Sequence, residues 1–356
     1  MKYNYTWLKE YYKTDDSAQK TSDLITELGS EVEPTCLNTI DPNVIAVRIT
    51  SISKHPNADR LQLATVSDGN SEVTVVCGAK NIREGQVVPY ARPGAKLNGL
   101  EVKEVEIRGV KSPGMLLSER ELGISNEHTG IKILNKDVHI GSPVSEVLAQ
   151  DEIIEAEITP NRGDLLSHFG MARDLSAKAG RRLNKPNLEI EEEGSNSNKE
   201  IRIEVKSEEC SLYIARVIKG VKIGPSPQWL KDRLISCGVN SVNNVVDITN
   251  YIMLDLGHPL HAFDAKKVLG GQIVVSEIDR ECEVMCLDNK ARALIPGMLC
   301  INDSKRPIAI AGVMGLKCSE IDEDTTDVIL EAAVFNPKSV RKTAKLLGVR
   351  TEASYR

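Results

Sequence analysis

Aromatic residues are scarce in this 356-residue chain: Phe, Tyr and Trp make up 4% of it, so whatever cores it builds are packed from Val, Ile, Leu and Ala. Long apolar runs are absent too. No uncharged stretch approaches the roughly 18 residues of a membrane helix, and the amphipathic start MKYNYTWLKEYYKTDD does not resemble a signal peptide. A cytoplasmic location is expected. There is no excess of positive charge either, since 45 Lys and Arg face 51 Asp and Glu for a net charge of −6. That balance gives no support to indiscriminate nucleic-acid binding, and any such partner must be held locally. The eight cysteines form no tight framework, which suits a reducing compartment. Cys282, Cys286, Cys300 and Cys318 lack the two close pairs of a thiolate zinc site, so buried thiols and no metal are expected.

What is present fits a globular protein, with 41% hydrophobic and 27% charged residues. At about 100–200 residues per domain the length implies two or three. Residues 1–38 and 151–188 carry helical stripes and are expected to form one discontinuous helical domain. Trp7, Leu8 and Tyr11 mark the first part, and Leu165, Phe169, Ala172 and Leu175 the second. Between them, 39–150 holds the β-rich runs VIAVRIT, LQLATVS, VTVVC, QVVPYA and EVKEVEIR. These suggest a small oligonucleotide-binding type β-barrel inserted into the helical domain. Its 13 basic and 13 acidic residues cancel, which leaves direct RNA contact and a docking role both open. Residues 189–200, EIEEEGSNSNKE, read as a linker. From 201 to 356 strands at IRIEV, YIARVIKGV, GGQIVVSEI, RALIP, PIAIAGVMG and DVILEAAVF alternate with helices near 227–237 and 337–347, an α/β domain. The fold class is therefore α+β and multidomain.

The most informative stretch is Asn243 to Asp264, NNVVDITNYIMLDLGHPLHAFD, where Asn, Asp and His are interleaved with apolar residues. Burying such groups costs roughly 1–3 kcal/mol each unless they find partners. They must satisfy one another or meet a ligand. In HPLH, Pro259 argues against a helix presenting His258 and His261 together to a metal, which leaves His261 as a ligand contact or a satisfied core histidine. In PIAIAGVMG, small residues at a strand end let backbone approach a ligand, but the run lacks the ending of a phosphate loop. The tetrapeptide HIGS at 139–142 is a chance-level near miss to a synthetase signature. On the last helix Lys338, Arg341, Lys342 and Lys345 fall at helical spacing, with Val340, Ala344 and Leu347 inward. This basic stripe is either a phosphate grip or a solvated face.

Several ordered strings together resemble the N-terminal portion of the bacterial phenylalanyl-tRNA synthetase beta subunit. They are YTWLKEY, HPNADRL, VCGAKN, ITPNRGD, the 243–264 stretch, AGVMG and LLGVRTEASYR, and they cover essentially the whole chain. The resemblance implies a longer subunit that continues past residue 356, an alpha subunit carrying the aminoacylation site, a heterotetramer of two alpha and two beta chains, and tRNA as partner. ATP and magnesium are implied for the complete enzyme and none for this span. It further implies that 201–356 is an editing domain that hydrolyses tyrosine from mischarged tRNA. By resemblance Glu331 meets the tyrosine hydroxyl, His261 and Asn250 line the pocket, and Gly315, Thr351 and Ala353 keep it open, with a positioned water as nucleophile. Leu316 departs from the family, which commonly has glycine there, and either narrows the entrance or points into the core. The competing reading is a non-catalytic RNA-binding and subunit-docking module with an inactive pocket.

Overall fold

The computed structural model describes residues 1–33, 40–97, 100–124, 128–148, 152–191 and 200–356. The expected domain boundaries at 38–39 and 150–151, residues 192–199 of the expected linker, and Cys36 lie outside the described residues. The chain divides into two compact units, Met1–Pro34 with Ile154–Arg356 and Thr35–Ile153. The protein is mixed α/β.

The Thr35–Ile153 unit is built on one antiparallel sheet, in the order Met115–Leu116, Val87–Ala91, Val44–Lys54, Gln62–Ser67, Glu72–Cys77. The long strand Val44–Lys54 has a register shift between Ile49 and Ser51 opposite Gln62–Ser67, the extra residue that lets a strand bend. The two edge strands, Met115–Leu116 and Glu72–Cys77, lie against each other, and Val76 N–H donates to the hydroxyl of Ser112, just before the first of them, at 3.0 Å, so the barrel is nearly closed. Inside lie Ile45, Val47, Ile49, Val66, Val75 and Val88, an aliphatic core as the composition demands.

The run EVKEVEIR does not supply the fifth barrel strand. Its Glu104–Ile107 portion pairs with Val110–Pro113 in a separate hairpin, because Glu104, Val105 and Glu106 are all exposed and offer no apolar face to a barrel. Met115–Leu116 closes the sheet instead, next to Gly114, where a Cβ would fall 2.2 Å from the Ala91 carbonyl oxygen. The polar residues of the barrel strings hold loops. His55 sets one ring nitrogen against the Ile107 carbonyl and accepts the Asn57 N–H on the other, and Asn81 pairs its amide with both backbone groups of Ile131.

In the other unit the helices Tyr5–Tyr11, Ala18–Glu27 and His168–Lys178 begin at Asn4, Ser17 and Ser167, each of which caps its helix through a side-chain oxygen. Their apolar faces share a core of Trp7, Leu8, Ile25, Leu165 and Leu175 with Leu230, Leu234 and Leu254. The last three come from the helices Gln228–Ser236 and Asn244–Leu256, so the helical segments and the chain beyond the linker are one packed body. Beside this core two sheets face each other. One runs Arg202–Val205, Gln272–Glu277, Leu299–Asn302, Pro307–Ile310, Met314–Gly315, and the other Cys210–Lys219, Asp327–Phe335, Leu260–Asp264. Phe263, Ile273, Val275, Ile301, Ile308 and Ile329 fill the space between them.

Candidate functional site

The site grows from the middle strand of the three-stranded sheet, Asp327–Phe335. Its register sets Glu331 directly opposite Ala215 on one side and directly opposite His261 on the other. Directly opposed residues of an antiparallel pair share a face. Glu331 and His261 thus stand side by side on the face that also carries Phe263 and Ile329 into the core. Gly315 then closes on them from the other sheet. A Cβ at Gly315 would lie 2.5 Å from the His261 Cε1 and 2.7 Å from its Nε2, so only glycine lets that hairpin rest against the imidazole.

With the turn after helix Asn244–Leu256 and the short helix Glu352–Tyr355, these elements enclose a cavity of about 370 Å³. That is within the roughly 300–1,000 Å³ of small-molecule sites. Its walls are apolar at Leu260, Ile310, Val313, Met314, Phe335 and Val340 and polar at His258, His261, Glu331 and Arg356. An aromatic ring with one hydrogen-bonding end suits such a lining.

Burial sets the protonation of both central groups. It pushes the Glu331 carboxyl up to about 8, against the lowering effect of the hydrogen bond from Tyr213, whose hydroxyl donates to Glu331 Oε2 at 3.1 Å. Burial also raises the Tyr213 phenol, as does the neighbouring Glu331 charge, so Tyr213 stays a donor. The His261 imidazole is held down to about 4 by burial, which keeps it neutral at physiological pH with one donor and one acceptor nitrogen. It meets the Phe263 ring edge-on at 4.6 Å between centroids, and among the described residues its nitrogens make no hydrogen bond.

Of the residues named from the sequence, His261, Gly315, Glu331 and Ala353 line this one cavity. Thr351 stands behind the wall, where its hydroxyl donates to the Val313 carbonyl at 2.8 Å and accepts the Ser354 N–H. Asn250 is not among the lining residues. It precedes Gly257 by seven positions on the helix, about 10 Å back along the axis at 1.5 Å per residue. Leu316 resolves toward the core: it is 2% exposed and packs with Cys286, Leu294, Met298 and Cys300 rather than at the entrance.

Asn243 and the three aspartates of the 243–264 stretch are satisfied within the fold. Asn243 caps its helix by accepting the Val245 and Val246 N–H groups. Asp247 accepts from the Ser226 and Ser241 hydroxyls and the Val242 N–H, Asp255 from Trp7 Nε1 and the Tyr11 hydroxyl, and Asp264 from the Thr325 hydroxyl. Sequence reasoning missed Tyr213. The alternation in YIARVIK places Tyr213, Ala215 and Val217 on one face, but nothing in the sequence says that Glu331 is across from them.

Lys338, Arg341, Lys342 and Lys345 are all exposed on helix Pro337–Leu346, and among the described residues none of the four pairs with a carboxylate. Val340, Ala344 and Leu347 pack inward, and Pro337 and Val340 reach the cavity. Among the described residues no group of three or more His, Cys, Asp or Glu is placed to hold a metal ion, and no helix is long and apolar enough to cross a membrane.

Two family models match the chain, "Putative tRNA binding domain" over residues 44–143 and "B3/4 domain" over 209–356. A "Phenylalanine--tRNA ligase beta subunit" from Geobacter sulfurreducens is 45% identical over 99% of this chain and 44% of its own length. A protein of the same name from Anaeromyxobacter dehalogenans is 43% identical over 100% of this chain and 45% of its own length. The chain thus spans less than half the length of these relatives. A solved N-terminal fragment of the phenylalanyl-tRNA synthetase beta-subunit from Pyrococcus horikoshii aligns over 56% of this chain and 61% of its own, with 12% identity and a TM-score of 0.30.

Proposed function

The chain belongs to the family of phenylalanyl-tRNA synthetase (phenylalanine--tRNA ligase) beta subunits, and from that we propose that its cavity is a proofreading pocket that releases tyrosine from mischarged tRNA. One observation carries the reading: Glu331 and His261 stand directly opposite each other in the wall of a cavity that also offers the apolar side chains of Leu260, Ile310, Val313 and Phe335, with Gly315 against the imidazole. Tyrosine is phenylalanine plus one hydroxyl, and an apolar synthetic site rejects such an addition by only about 100-fold. A site built to bond that hydroxyl works in the other sense. One oxygen of its carboxyl is left unpaired by phenylalanine, a penalty of about 1–3 kcal/mol that favours tyrosine.

In this reading the ring of the tyrosyl group enters the apolar cavity with its hydroxyl on Glu331. The ester lies toward His261, whose neutral imidazole orients a water by donating to it or accepting from it. The water attacks the ester carbonyl, and the terminal hydroxyl of the tRNA leaves. Positioning carries the rate, with no Ser or Cys nucleophile. Ala353 and the Thr351-tied turn keep the space open.

The whole subunit would support ATP-dependent attachment of phenylalanine as the partner of an alpha subunit, in a tetramer of two alpha and two beta chains in the cytoplasm. ATP and magnesium would serve the alpha subunit. We assign residues 201–356 as the editing domain, the barrel at 39–150 as an oligonucleotide-binding type domain that meets tRNA, and the Lys338 to Lys345 stripe as a grip on tRNA phosphates beside the cavity. The test is release of tyrosine from tyrosyl-tRNA by the complete enzyme. Glu331→Ala should lower it about 10- to 100-fold, the worth of leaving a buried phenol without its hydrogen-bond partner, while phenylalanine attachment is unchanged. Undiminished release in that variant would show that the pocket does not edit.

A further inference from the structure

We infer that Tyr213 is a specificity-determining positioning residue: its hydroxyl engages one oxygen of Glu331 and thereby aims the other into the cavity, where the phenol of a tyrosyl ligand binds. The inference rests on the proofreading reading of that cavity.

The register makes the geometry. Tyr213 is directly opposite Ala333, and Glu331 is directly opposite Ala215. Two long side chains and two alanines therefore alternate around one square of the sheet, with Tyr213 and Glu331 on its diagonal. Diagonal neighbours lie roughly 7–8 Å apart, a gap that long side chains close, and here the hydroxyl meets Glu331 Oε2 at 3.1 Å. The alanines leave the diagonal open. Tyr213 does not line the cavity and instead packs into the core that holds Phe263, Ile273 and Ile329. Its ring is thereby fixed from behind.

A glutamate carboxyl needs such help, because its terminal torsion is broad and selects no single plane. One bond from a fixed phenol selects the plane. The other carboxyl oxygen makes no hydrogen bond among the described residues, although Glu331 is only 6% exposed and lines the cavity. An apolar ring end leaves that oxygen unsatisfied, whereas a phenol satisfies it. The titratable groups around Glu331 are Tyr213 and Cys210 on one neighbouring strand and His261 on the other, with His258 and Arg356 on further parts of the cavity wall. Of these only the Tyr213 hydroxyl donates to the carboxyl, drawing its titration downward. Deleting that hydroxyl moves the titration up.

The test titrates L-tyrosine and L-phenylalanine into the 356-residue chain by calorimetry at several pH values around about 8, where Glu331 titrates. It compares the parent, Tyr213→Phe, Glu331→Gln and the double variant. Tyr213→Phe keeps the packed ring and removes one hydroxyl, and a melting curve verifies each variant's fold. The parent should prefer tyrosine, with a preference that titrates with Glu331. Tyr213→Phe should lose about 10-fold of that preference, the worth of one hydrogen bond to an ionisable group, and its pH midpoint should move up. In the Glu331→Gln background the same change should add nothing. A parent with no preference for tyrosine overturns the proofreading reading and this inference with it. A parent that prefers tyrosine, with Tyr213→Phe keeping both ratio and midpoint or costing as much in the Gln background, overturns the role of Tyr213 alone.

Discussion

Glu331 and His261 stand beside each other and titrate in opposite senses for the same reason, since burial disfavours the charged form of each. The consequences for stability differ in sign. The Glu331 value is raised from 4.5 to about 8, so its contribution to folding is complete below about pH 4.5 and is lost as the pH rises through 8. The His261 value is lowered from 6.5 to about 4, so its contribution is present above about pH 6.5 and is lost as the pH falls through 4. His168 acts in the acid sense too: burial holds it down to about 3, with one ring nitrogen against the Leu254 carbonyl and the other accepting the Asn4 N–H. Glu331→Gln should therefore flatten the fall in melting temperature on the alkaline side and leave the acid side intact. Parallel curves for variant and parent, followed by circular dichroism over pH 4 to 9, would show that the Glu331 carboxyl is not held neutral by burial.

At the scale of elements, the hairpin Pro307–Ile310 and Met314–Gly315 decides whether the cavity exists, because it brings backbone against an imidazole. Gly315→Ala should force hairpin and ring apart, destabilise the protein by about 1–3 kcal/mol as overpacking does, and abolish tyrosine release. A variant of parental stability and activity would mean that the ring does not sit there in solution. The run PIAIAGVMG was legible as small residues at a strand end, and the capped helix from Asn336 was legible from Asn-Pro and Gly348. Less legible was Asn243 to Asp264, a helix and a strand joined at Gly257 to Pro259, whose interleaved polarity mixes two periods. Its amides and carboxylates looked like pocket groups, yet Asp247, Asp255 and Asp264 spend themselves on Ser226, Trp7, Tyr11 and Thr325. Those partners are distant in sequence. Of the polar residues in the stretch, only the two histidines beyond the helix line the cavity.

For the whole molecule, a net charge of −6 means that the tRNA of the proposed function would be gripped by local patches. The exposed stripe on the last long helix is the patch we propose for it, and that helix adjoins the cavity through Pro337 and Val340. Replacing Lys338, Arg341, Lys342 and Lys345 together by Gln should weaken tRNA binding and reduce the slope of log affinity against log salt by about 2–4, near 0.9 per phosphate contact. An unchanged slope would assign the stripe to solvent. Local facts were legible along the chain: aliphatic cores, the cap at Asn336, four of the five strands of the barrel sheet, and the ordered strings that mark the family. These depend on composition and on spacings within one element, which a linear chain carries in full. It took the packed fold to show that helices on both sides of the linker share one core, that Leu316 faces inward, that Asn250 stays off the cavity, and that the Tyr213 hydroxyl donates to Glu331. Each of those depends on the register between strands or on packing between segments far apart in sequence, and periodicity within one segment cannot choose its partner in another.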